Sequence, residues 1–178
     1  MDIHYHIGNP IPEPRFEEVW NLFSASLPAN ELRTYSGQRR LLEHPSYHLL
    51  VRTGHTGRTV AAMAAWEFPS FRFIEHFAVD PSLRGQGTGG FLLDQYTKTA
   101  PSPVILEVEP PDTHTAARRI DFYKRHGFHT APFAYQQLPL REGDSPAPLF
   151  LMQYPIPLNK TAFEQVRDIL YQEVYGKK

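Results

Sequence analysis

No cysteine occurs among the 178 residues of the chain. This absence excludes disulfide bonds, thiolate metal ligands and an acyl-enzyme formed on cysteine. It fits a reducing compartment, so we expect a cytoplasmic protein. No run of about 18 apolar residues occurs, and the first ten residues lack the apolar centre of a signal peptide. The sequence therefore predicts neither a membrane span nor an export signal.

An excess of charge of one sign is also missing, since the formal net charge is −1. A nearly neutral chain offers no electrostatic basis for binding nucleic acid or an anionic membrane. At 178 residues the chain is long enough to bury one core without cross-links. We find no repeat, low-complexity segment or internal boundary, and we predict a single domain over residues 1–178.

The most informative stretch covers residues 71–90, FRFIEHFAVDPSLRGQGTGG. Six of its first nine positions are aromatic, branched or small apolar residues, which favours a strand. An Asp-Pro-Ser triplet then ends that strand. Arg84 and four glycines follow and lead into an apolar pattern of helical spacing. The unit predicted is a strand, a basic glycine-rich turn and a helix.

A turn of this kind favours an anion. The first N–H groups of a helix have no partner within it, and the helix dipole adds partial positive charge there. Glycines let a phosphate approach the backbone, and the forked guanidinium of Arg84 suits a pair of phosphate oxygens. A Walker A loop is excluded, because no lysine lies between Gly57 and Tyr96.

A dinucleotide site is one alternative. Gly85, Gly87 and Gly90 fit the G-x-G-x-x-G pattern, and Glu107 or Glu109 lies about 20 residues further on, where a ribose-binding acid is expected. In that fold, however, the first glycine follows the strand directly, whereas here Pro81, Ser82, Leu83 and Arg84 intervene. The chain also shows one plausible strand-helix-strand unit.

More residues fit another class of site. Val79-Asp80-Pro81 followed by Arg84-x-x-Gly87-x-Gly89 resembles the cofactor motif of the GNAT superfamily of acetyl-CoA-dependent N-acyltransferases. Two later segments, LEV at 106–108 and FYKRHGF at 122–128, are similar to the next strand and the next helix end of that family. The resemblance covers a cofactor core at residues 71–128.

The resemblance implies an α/β GNAT fold. Its central sheet is mixed and mostly antiparallel, with about seven strands, splayed parallel strands four and five, and helices on both faces. The apolar patterns place strands at residues 2–7, 47–52, 58–68, 71–79, 104–109, 133–138 and 149–154.

Helices are predicted from apolar spacing and from capping residues. The first carries Phe16, Val19, Trp20, Phe23 and Leu27, a weaker one covers 31–43, and a third covers 88–99. The fourth is predicted to begin at an Asp112 cap and to end at Gly127. An extra C-terminal helix at about 161–175 is predicted to begin with a capping box, Thr161-x-x-Glu164.

The resemblance also assigns cofactor residues. It implies that the turn wraps the pyrophosphate of coenzyme A and that the backbone N–H of Val79 stabilises the thioester oxyanion. The assigned residues are Phe77, Ala78, Val79, Arg84, Gly85, Gln86, Gly87, Thr88, Gly89 and Gly90. No metal is expected. The family often has a pantetheine-contacting asparagine where this chain has Ala116.

Acyl transfer to an amine requires a group that accepts the amine proton and a hydrogen-bond donor for the oxyanion. It also benefits from an acid that protonates the leaving thiolate. The resemblance places Tyr123 beside the coenzyme sulfur as the acid, with helix packing as the alternative reading. We predict Glu75 as the base, because an apolar strand would raise its pKa by desolvation. His76 is the alternative base, and Glu107 and Glu109 are candidate partners of a substrate ammonium.

The predicted function is an N-acetyltransferase that moves acetyl from acetyl-CoA directly to a primary amine of a small molecule, in a ternary complex. One alternative is acetylation of a protein N-terminus or lysine. Another is an acyl-CoA-binding sensor without turnover. We expect a monomer or a homodimer.

Overall fold

The computed structural model describes residues 3–7 and 11–177. The chain forms two compact units, residues 1–102 and residues 103–178. No helix within the described ranges has the length and apolarity needed to cross a membrane. The single-domain assignment stays a prediction.

The first unit is built on an antiparallel sheet. Its strands are β1 (Ile3–Ile7), β2 (Tyr47–Thr53), β3 (Thr59–Glu67) and β4 (Arg72–Val79), and each pairs with the next along the chain. The β2–β3 hairpin closes where the N–H of Gly54 donates to the carbonyl of Arg58 at 2.9 Å. This confirms the predicted order of the first four strands. Residue 2, at the predicted start of β1, lies outside the described residues.

The described part of the first unit contains three α-helices, α1 (Glu13–Ser26), α2 (Tyr35–Arg40) and α3 (Thr88–Lys98). The predicted helix over 31–43 is wrong in extent, because α2 has six residues and lies between two 3₁₀ turns. Its start is set by Thr34, whose hydroxyl accepts the N–H of Gly37 at 3.1 Å.

Small residues in β3 allow α1 to pack against the sheet. Four alanines of β3 are completely buried, at positions 61, 62, 64 and 65. The helix α1 packs on β3 and β4 and contributes Phe16, Val19 and Phe23 to the core. Of its predicted apolar stripe, Trp20 stays partly exposed and Leu27 is the C-cap residue.

The second unit contains strands β5 (Val104–Val108), β6 (His129–Thr130), β7 (Tyr135–Gln137) and β8 (Ala147–Tyr154). The strand β8 pairs antiparallel with each of the other three. The two-residue β6 raises the number of strands in the described chain to eight, against about seven predicted. A strand of two residues is too short to show an alternating pattern.

Helices α4 (His114–Arg125) and α5 (Lys160–Ile169) complete the second unit, and α5 continues as a π-helical turn, Leu170–Val174. The predicted end of α4 is confirmed: Gly127 has φ +84°, and the N–H of Phe128 donates to the carbonyl of Tyr123 at 3.1 Å. The C-terminal helix is also confirmed. Its apolar stripe is buried, at Phe163, Val166, Leu170 and Val174.

Both predicted N-caps of these helices are wrong by one or two residues. The Thr113 hydroxyl, not Asp112, accepts the N–H of Ala116 at 3.1 Å and caps α4. The side-chain oxygen Oδ1 of Asn159 accepts the N–H of Ala162 at 2.9 Å and caps α5, so Thr161 lies inside the helix. In both cases another capping residue stands close to the predicted one, and the backbone path decides which side chain meets the free N–H.

Candidate functional site

The turn between β4 and α3 is held by its own first residues. The Asp80 carboxylate accepts the N–H and the hydroxyl of Ser82 at 2.9 and 2.6 Å, which fixes a 3₁₀ turn at Pro81–Leu83. These two hydrogen bonds to Ser82 lower the pKa of Asp80. The carboxylate therefore stays ionised and keeps the turn closed at neutral pH.

Two glycines give the following loop its shape. Gly85 and Gly87 have φ angles of +78° and +79°, a region that residues with a Cβ adopt at a cost. Apart from the glycine itself and its two chain neighbours, no described residue has an atom within 4 Å of the position that a Cβ would take at either glycine. Glycine is therefore required here by the backbone conformation, and the space beside the loop is open.

The helix α3 begins without a capping side chain, because its N-cap residue is Gly87. The first helical hydrogen bond runs from the N–H of Phe91 to the carbonyl of Gly87, at 2.9 Å. The N–H groups of the three residues before Phe91 have no acceptor within the helix. Together with the helix dipole, this exposed end suits an anion.

Arg84 lies at the solvent side of the same turn. Its Nε donates to the carbonyl of Val79 at 3.3 Å, and one Nη donates to the hydroxyl of Ser26 at 3.3 Å. Gln86 donates to the carbonyl of Ser82 at 2.9 Å. These contacts fix the direction of the Arg84 side chain while leaving it exposed. An oxyanion held by the helix end could also be bound by this guanidinium.

The remaining residues predicted to contact the cofactor are distributed over β4 and α3. Ala78 and Thr88 are buried, whereas Phe77 and Val79 are partly exposed. The carbonyl of Thr88 accepts a hydrogen bond from Arg52 at 3.0 Å. The structure thus brings the predicted positions at 77–79 and 84–90 into one strand-turn-helix unit.

The strand β4 contains a β-bulge next to these residues. His76 is paired with Ala64 of β3, but Ile74 is paired with Ala65, so Glu75 has no partner of its own. A bulge breaks the alternation of side chains and re-aims them. This explains why the orientation of His76 cannot be read from the strand pattern.

Glu75 is bound on both carboxylate oxygens. Arg33 donates to one oxygen from Nη2 at 2.8 Å and from Nε at 3.1 Å, and the indole N–H of Trp66 donates to the other at 3.0 Å. The Glu75 side chain is 2% exposed and that of Arg33 is 15% exposed. The carboxylate is therefore a buried, paired anion.

This pairing reverses the expected pKa of Glu75. Burial is the largest single effect and raises the pKa, but the charges of Arg33 and His76 and the hydrogen bonds from Trp66 and Arg33 together outweigh it, so that the pKa is lowered. The prediction of a raised pKa is wrong. Arg33 lies in the segment predicted as the second helix, 31–43, and no local pattern links it to a residue 42 positions away.

His76 is 3% exposed and packs against Phe23 of α1, with ring centroids 5.4 Å apart. Its Nε2 lies 2.8 Å from the backbone carbonyl of Glu31. Burial lowers the pKa of His76 and outweighs the opposite effects of the Glu75 charge and the Glu31 carbonyl. The imidazole is neutral at pH 7.

Tyr123 lies near the end of α4 and is 6% exposed. Its ring makes edge contacts with Phe122 and Phe128, at centroid distances of 5.3 and 5.7 Å. Burial raises the pKa of Tyr123 to about 12, against a smaller opposite effect of Arg119. The phenol is protonated at every physiological pH. The aromatic packing read from the sequence is present, and the role of acid stays a prediction.

The other two predicted acids each have partners. Glu107 accepts hydrogen bonds from the hydroxyls of Tyr135 and Tyr175, the latter at 2.8 Å to each oxygen. Glu109 pairs with Arg119 at 3.0 Å. The contact with Tyr175 spans 68 residues and has no signal in the sequence. Ala116, where the family often has asparagine, is 2% exposed.

Comparison with known proteins shows the family. Residues 16–128 match the model of the acetyltransferase (GNAT) family. A solved structure of a "Putative acetyltransferase from GNAT family" of Bacteroides thetaiotaomicron is 30% identical, with a TM-score of 0.85, and the match covers 98% of this chain and 99% of that one. The chain therefore belongs to the acetyltransferase (GNAT) family and has its α/β fold.

Two further proteins are similar over smaller parts or at lower identity. "Putative acetyltransferase YjbC" of Bacillus subtilis (strain 168) is 34% identical over 120 residues, which are 64% of this chain and 58% of that protein. A GNAT family acetyltransferase from Elizabethkingia anophelis, solved with acetyl-CoA bound, is 18% identical with a TM-score of 0.56, covering 85% and 95% of the two chains. The latter shows the shared fold alone. Within the described residues, no group of three or more His, Asp or Glu side chains could hold a metal ion.

Proposed function

We propose that the protein transfers an acetyl group from acetyl-CoA directly to a primary amine of a small molecule, in a ternary complex and without a metal. The observation that carries this proposal is the open turn before α3. It combines an uncapped helix end, two glycines with positive φ and the exposed Arg84. We place the enzyme in the cytoplasm, as a monomer or a homodimer.

The pyrophosphate of coenzyme A fits this turn by charge and by shape. A doubly charged group can accept hydrogen bonds from the N–H groups at the start of α3 and from the guanidinium of Arg84. The residues proposed to hold the coenzyme are those at 77–79 and 84–90. The structure of the Elizabethkingia anophelis relative with acetyl-CoA supports this choice of ligand.

Direct transfer requires no protein nucleophile, which agrees with a chain that lacks cysteine. The amine attacks the thioester carbonyl, whose oxygen gains negative charge, and the thiolate leaves. We propose that the backbone N–H of Val79 stabilises this oxygen and that Tyr123 acts as the acid for the leaving thiolate.

The raised pKa of Tyr123 limits what it can do. A phenol of pKa about 12 lies roughly 3.5 units above an ordinary thiol, so complete proton transfer is uphill by about 5 kcal/mol if the thiol is unperturbed. A buried thiolate has a higher pKa than an exposed one, which reduces this difference. We therefore propose that Tyr123 donates a hydrogen bond to the thiolate and releases its proton only as the thiolate leaves.

Contacts between α1 and α2 favour a small-molecule acceptor over an amine of a protein. Tyr35 of α2 makes edge contacts with Phe16 and Trp20 of α1, at centroid distances of 5.3 and 5.5 Å. An aromatic cluster of this kind favours a closed pocket rather than the open groove that a protein terminus or a lysine side chain requires.

The proposal is tested by thermal-shift titration with acetyl-CoA, free CoA, ATP and NAD. A ligand present at 100 times its dissociation constant adds about 2.7 kcal/mol, which raises the melting temperature by about 5–11 °C for a chain of this size. We expect both coenzyme A species to stabilise the protein and NAD to have no effect.

A matched pair of variants locates the binding site. Arg84→Ala removes charge-assisted hydrogen bonds and is expected to weaken CoA binding by about 10- to 100-fold. Arg40→Ala removes the same charge from another exposed position and should leave binding unchanged. Stabilisation by NAD, or an equal effect of both variants, would refute the site. CoA binding without acetylation of any primary amine would favour the sensor.

A further inference from the structure

A cavity of about 670 Å³ opens on the surface of the second unit. Its walls come from the end of β5, from the hairpin of β7 and β8, and from the C-terminal helix with the residues after it. Small-molecule sites in proteins are concave and of about this size, roughly 300–1,000 Å³. None of the described residues that line the cavity is among those proposed to hold coenzyme A, so the proposed function gives this cavity no role.

Three aromatic rings line the cavity, those of Tyr135 in β7, Phe150 in β8 and Tyr171 in the π-helical turn. The hydroxyl of Tyr135 donates to the Glu107 carboxylate, and that of Tyr171 donates to the carbonyl of Gln136 at 2.7 Å. The two tyrosine rings lie 5.9 Å apart, with an angle of 33° between their planes. Because both hydroxyls are bound within the protein, the rings are held in place and present apolar surface, which suits a planar ligand.

Two of the three charged side chains around the cavity neutralise each other. Arg167 donates from Nε and from Nη2 to one oxygen of Asp168, at 2.9 and 2.7 Å. The third is Lys177. Its ammonium nitrogen lies 5.4 Å from the centroid of the Tyr171 ring, and no carboxylate of the described residues forms an ion pair with it. The cavity therefore carries one positive charge that the described protein groups leave unbalanced.

The backbone holds Lys177 beside the cavity. Gly176 turns the chain with a φ of +66°, and the N–H of Lys177 then donates to the carbonyl of Tyr171 at 2.8 Å. Just before this turn, the hydroxyl of Tyr175 donates to the carboxylate oxygens of Glu107, at 2.8 Å to each. The Lys177 side chain is exposed and flexible, so its ammonium can turn from the Tyr171 ring toward a bound anion while the backbone stays in place.

We propose that this cavity binds a planar aromatic carboxylate. The ring of the ligand packs against Phe150 and Tyr171, and its carboxylate pairs with the ammonium of Lys177. Ring and charge are both needed for selectivity, because an exposed ion pair alone contributes little free energy of binding. Binding of such a ligand requires neither acetyl-CoA nor turnover, so it is independent of the proposed acetyl transfer.

The first test is a titration of the full-length protein with 2-naphthoate in the absence of acetyl-CoA, followed by the ¹H NMR line widths of the ligand. From the size of this probe we expect a dissociation constant of about 1 mM or lower. 2-Naphthamide has the same ring without the charge, and cyclohexanecarboxylate has the charge without an aromatic ring. Each should bind at least about 5-fold more weakly. Equal affinity for the three compounds, or no detectable binding of 2-naphthoate, would overturn the proposal.

The second test reverses the charge at the cavity. Lys177→Glu should weaken the binding of 2-naphthoate by about 10-fold or more and change that of 2-naphthamide by less than about 2-fold. Lys160→Glu is the matched control, because Lys160 is an exposed lysine of α5 that does not line the cavity. It should leave both affinities unchanged. Equal weakening by the two variants would show a general effect of net charge and would overturn the site.

The ring contact is tested by Phe150→Ala, which should weaken the binding of 2-naphthoate and of 2-naphthamide by about 3- to 10-fold. Phe91→Ala, at an exposed aromatic residue of α3, should change neither affinity. If Phe150→Ala does not fold, as judged by its melting temperature, the variants of Lys177 and Lys160 decide. Arg84→Ala should leave the binding of 2-naphthoate unchanged. A loss as large as that for Lys177→Glu would place the anion at the glycine-rich turn and overturn the proposal.

The outcomes separate this site from the proposed function, because no titration with 2-naphthoate contains acetyl-CoA. A protein that acetylates a primary amine but does not bind 2-naphthoate would refute the cavity site alone. A protein that binds 2-naphthoate selectively but neither binds CoA nor acetylates an amine would refute the proposed function alone.

Discussion

Replacing Arg33 by methionine keeps most of the apolar stem of the side chain and removes its charge. Glu75 would then remain buried without a counter-ion, since its side chain is 2% exposed. Breaking a buried ion pair in this way costs about 3–5 kcal/mol. For a chain of this size, that corresponds to a fall in melting temperature of about 6–20 °C.

The stability of the Arg33→Met variant should also depend on pH, through the pKa of Glu75. In the unaltered protein the pKa of Glu75 is lowered, so the carboxylate contributes stability above its ordinary pKa and this contribution is lost as pH falls through the lowered value. Without Arg33, the effects that oppose burial are reduced to the His76 charge and the Trp66 hydrogen bond, and we expect the pKa of Glu75 to rise above its ordinary value. The variant should therefore regain stability as pH falls from 7 to 5, and the difference from the unaltered protein should narrow.

Urea unfolding at pH 7 and pH 5 measures both effects. Arg33→Met combined with Glu75→Gln should be more stable than Arg33→Met alone at pH 7, because the amide keeps an acceptor for Trp66 without a buried charge. Arg40→Met, at an exposed position, is the control and should change stability by less than about 0.5 kcal/mol. If Arg33→Met lowers the free energy of unfolding by less than about 1 kcal/mol, with no dependence on pH, Glu75 does not depend on Arg33 as a buried counter-ion.

Two further changes test the acid and a helix cap. Tyr123→Phe should lower kcat by about 10- to 100-fold and leave CoA binding unchanged; with a pKa of about 12 for the phenol, no fall in rate from its ionisation is expected up to about pH 10. An unchanged kcat would show that Tyr123 only packs. Asn159→Ala should lower the free energy of unfolding by about 1 kcal/mol, whereas Thr161→Ala should have little effect. Equal losses in thermal unfolding would contradict the cap assignment.

Features that depend on neighbouring residues could be predicted from the sequence alone. The glycine-rich turn and the start of α3 are held by hydrogen bonds between near neighbours in the sequence, and the positive φ angles of Gly85 and Gly87 need no distant partner. The apolar stripe of α5 and the end of α4 at Gly127 are local in the same sense. The family resemblance rests on the continuous stretch 71–128, and the match to the family model confirmed it.

The ionic state of the groups around the bulge depends on tertiary contacts instead. The position of an extra residue in β4 depends on its pairing with β3, and the pKa of Glu75 depends on Arg33 and Trp66, which lie 42 and 9 residues away. Desolvation alone, which the apolar strand suggested, predicts the wrong direction. The free energy of a buried charge depends mainly on the partners that folding brings close to it. These partners leave no periodic pattern in the sequence.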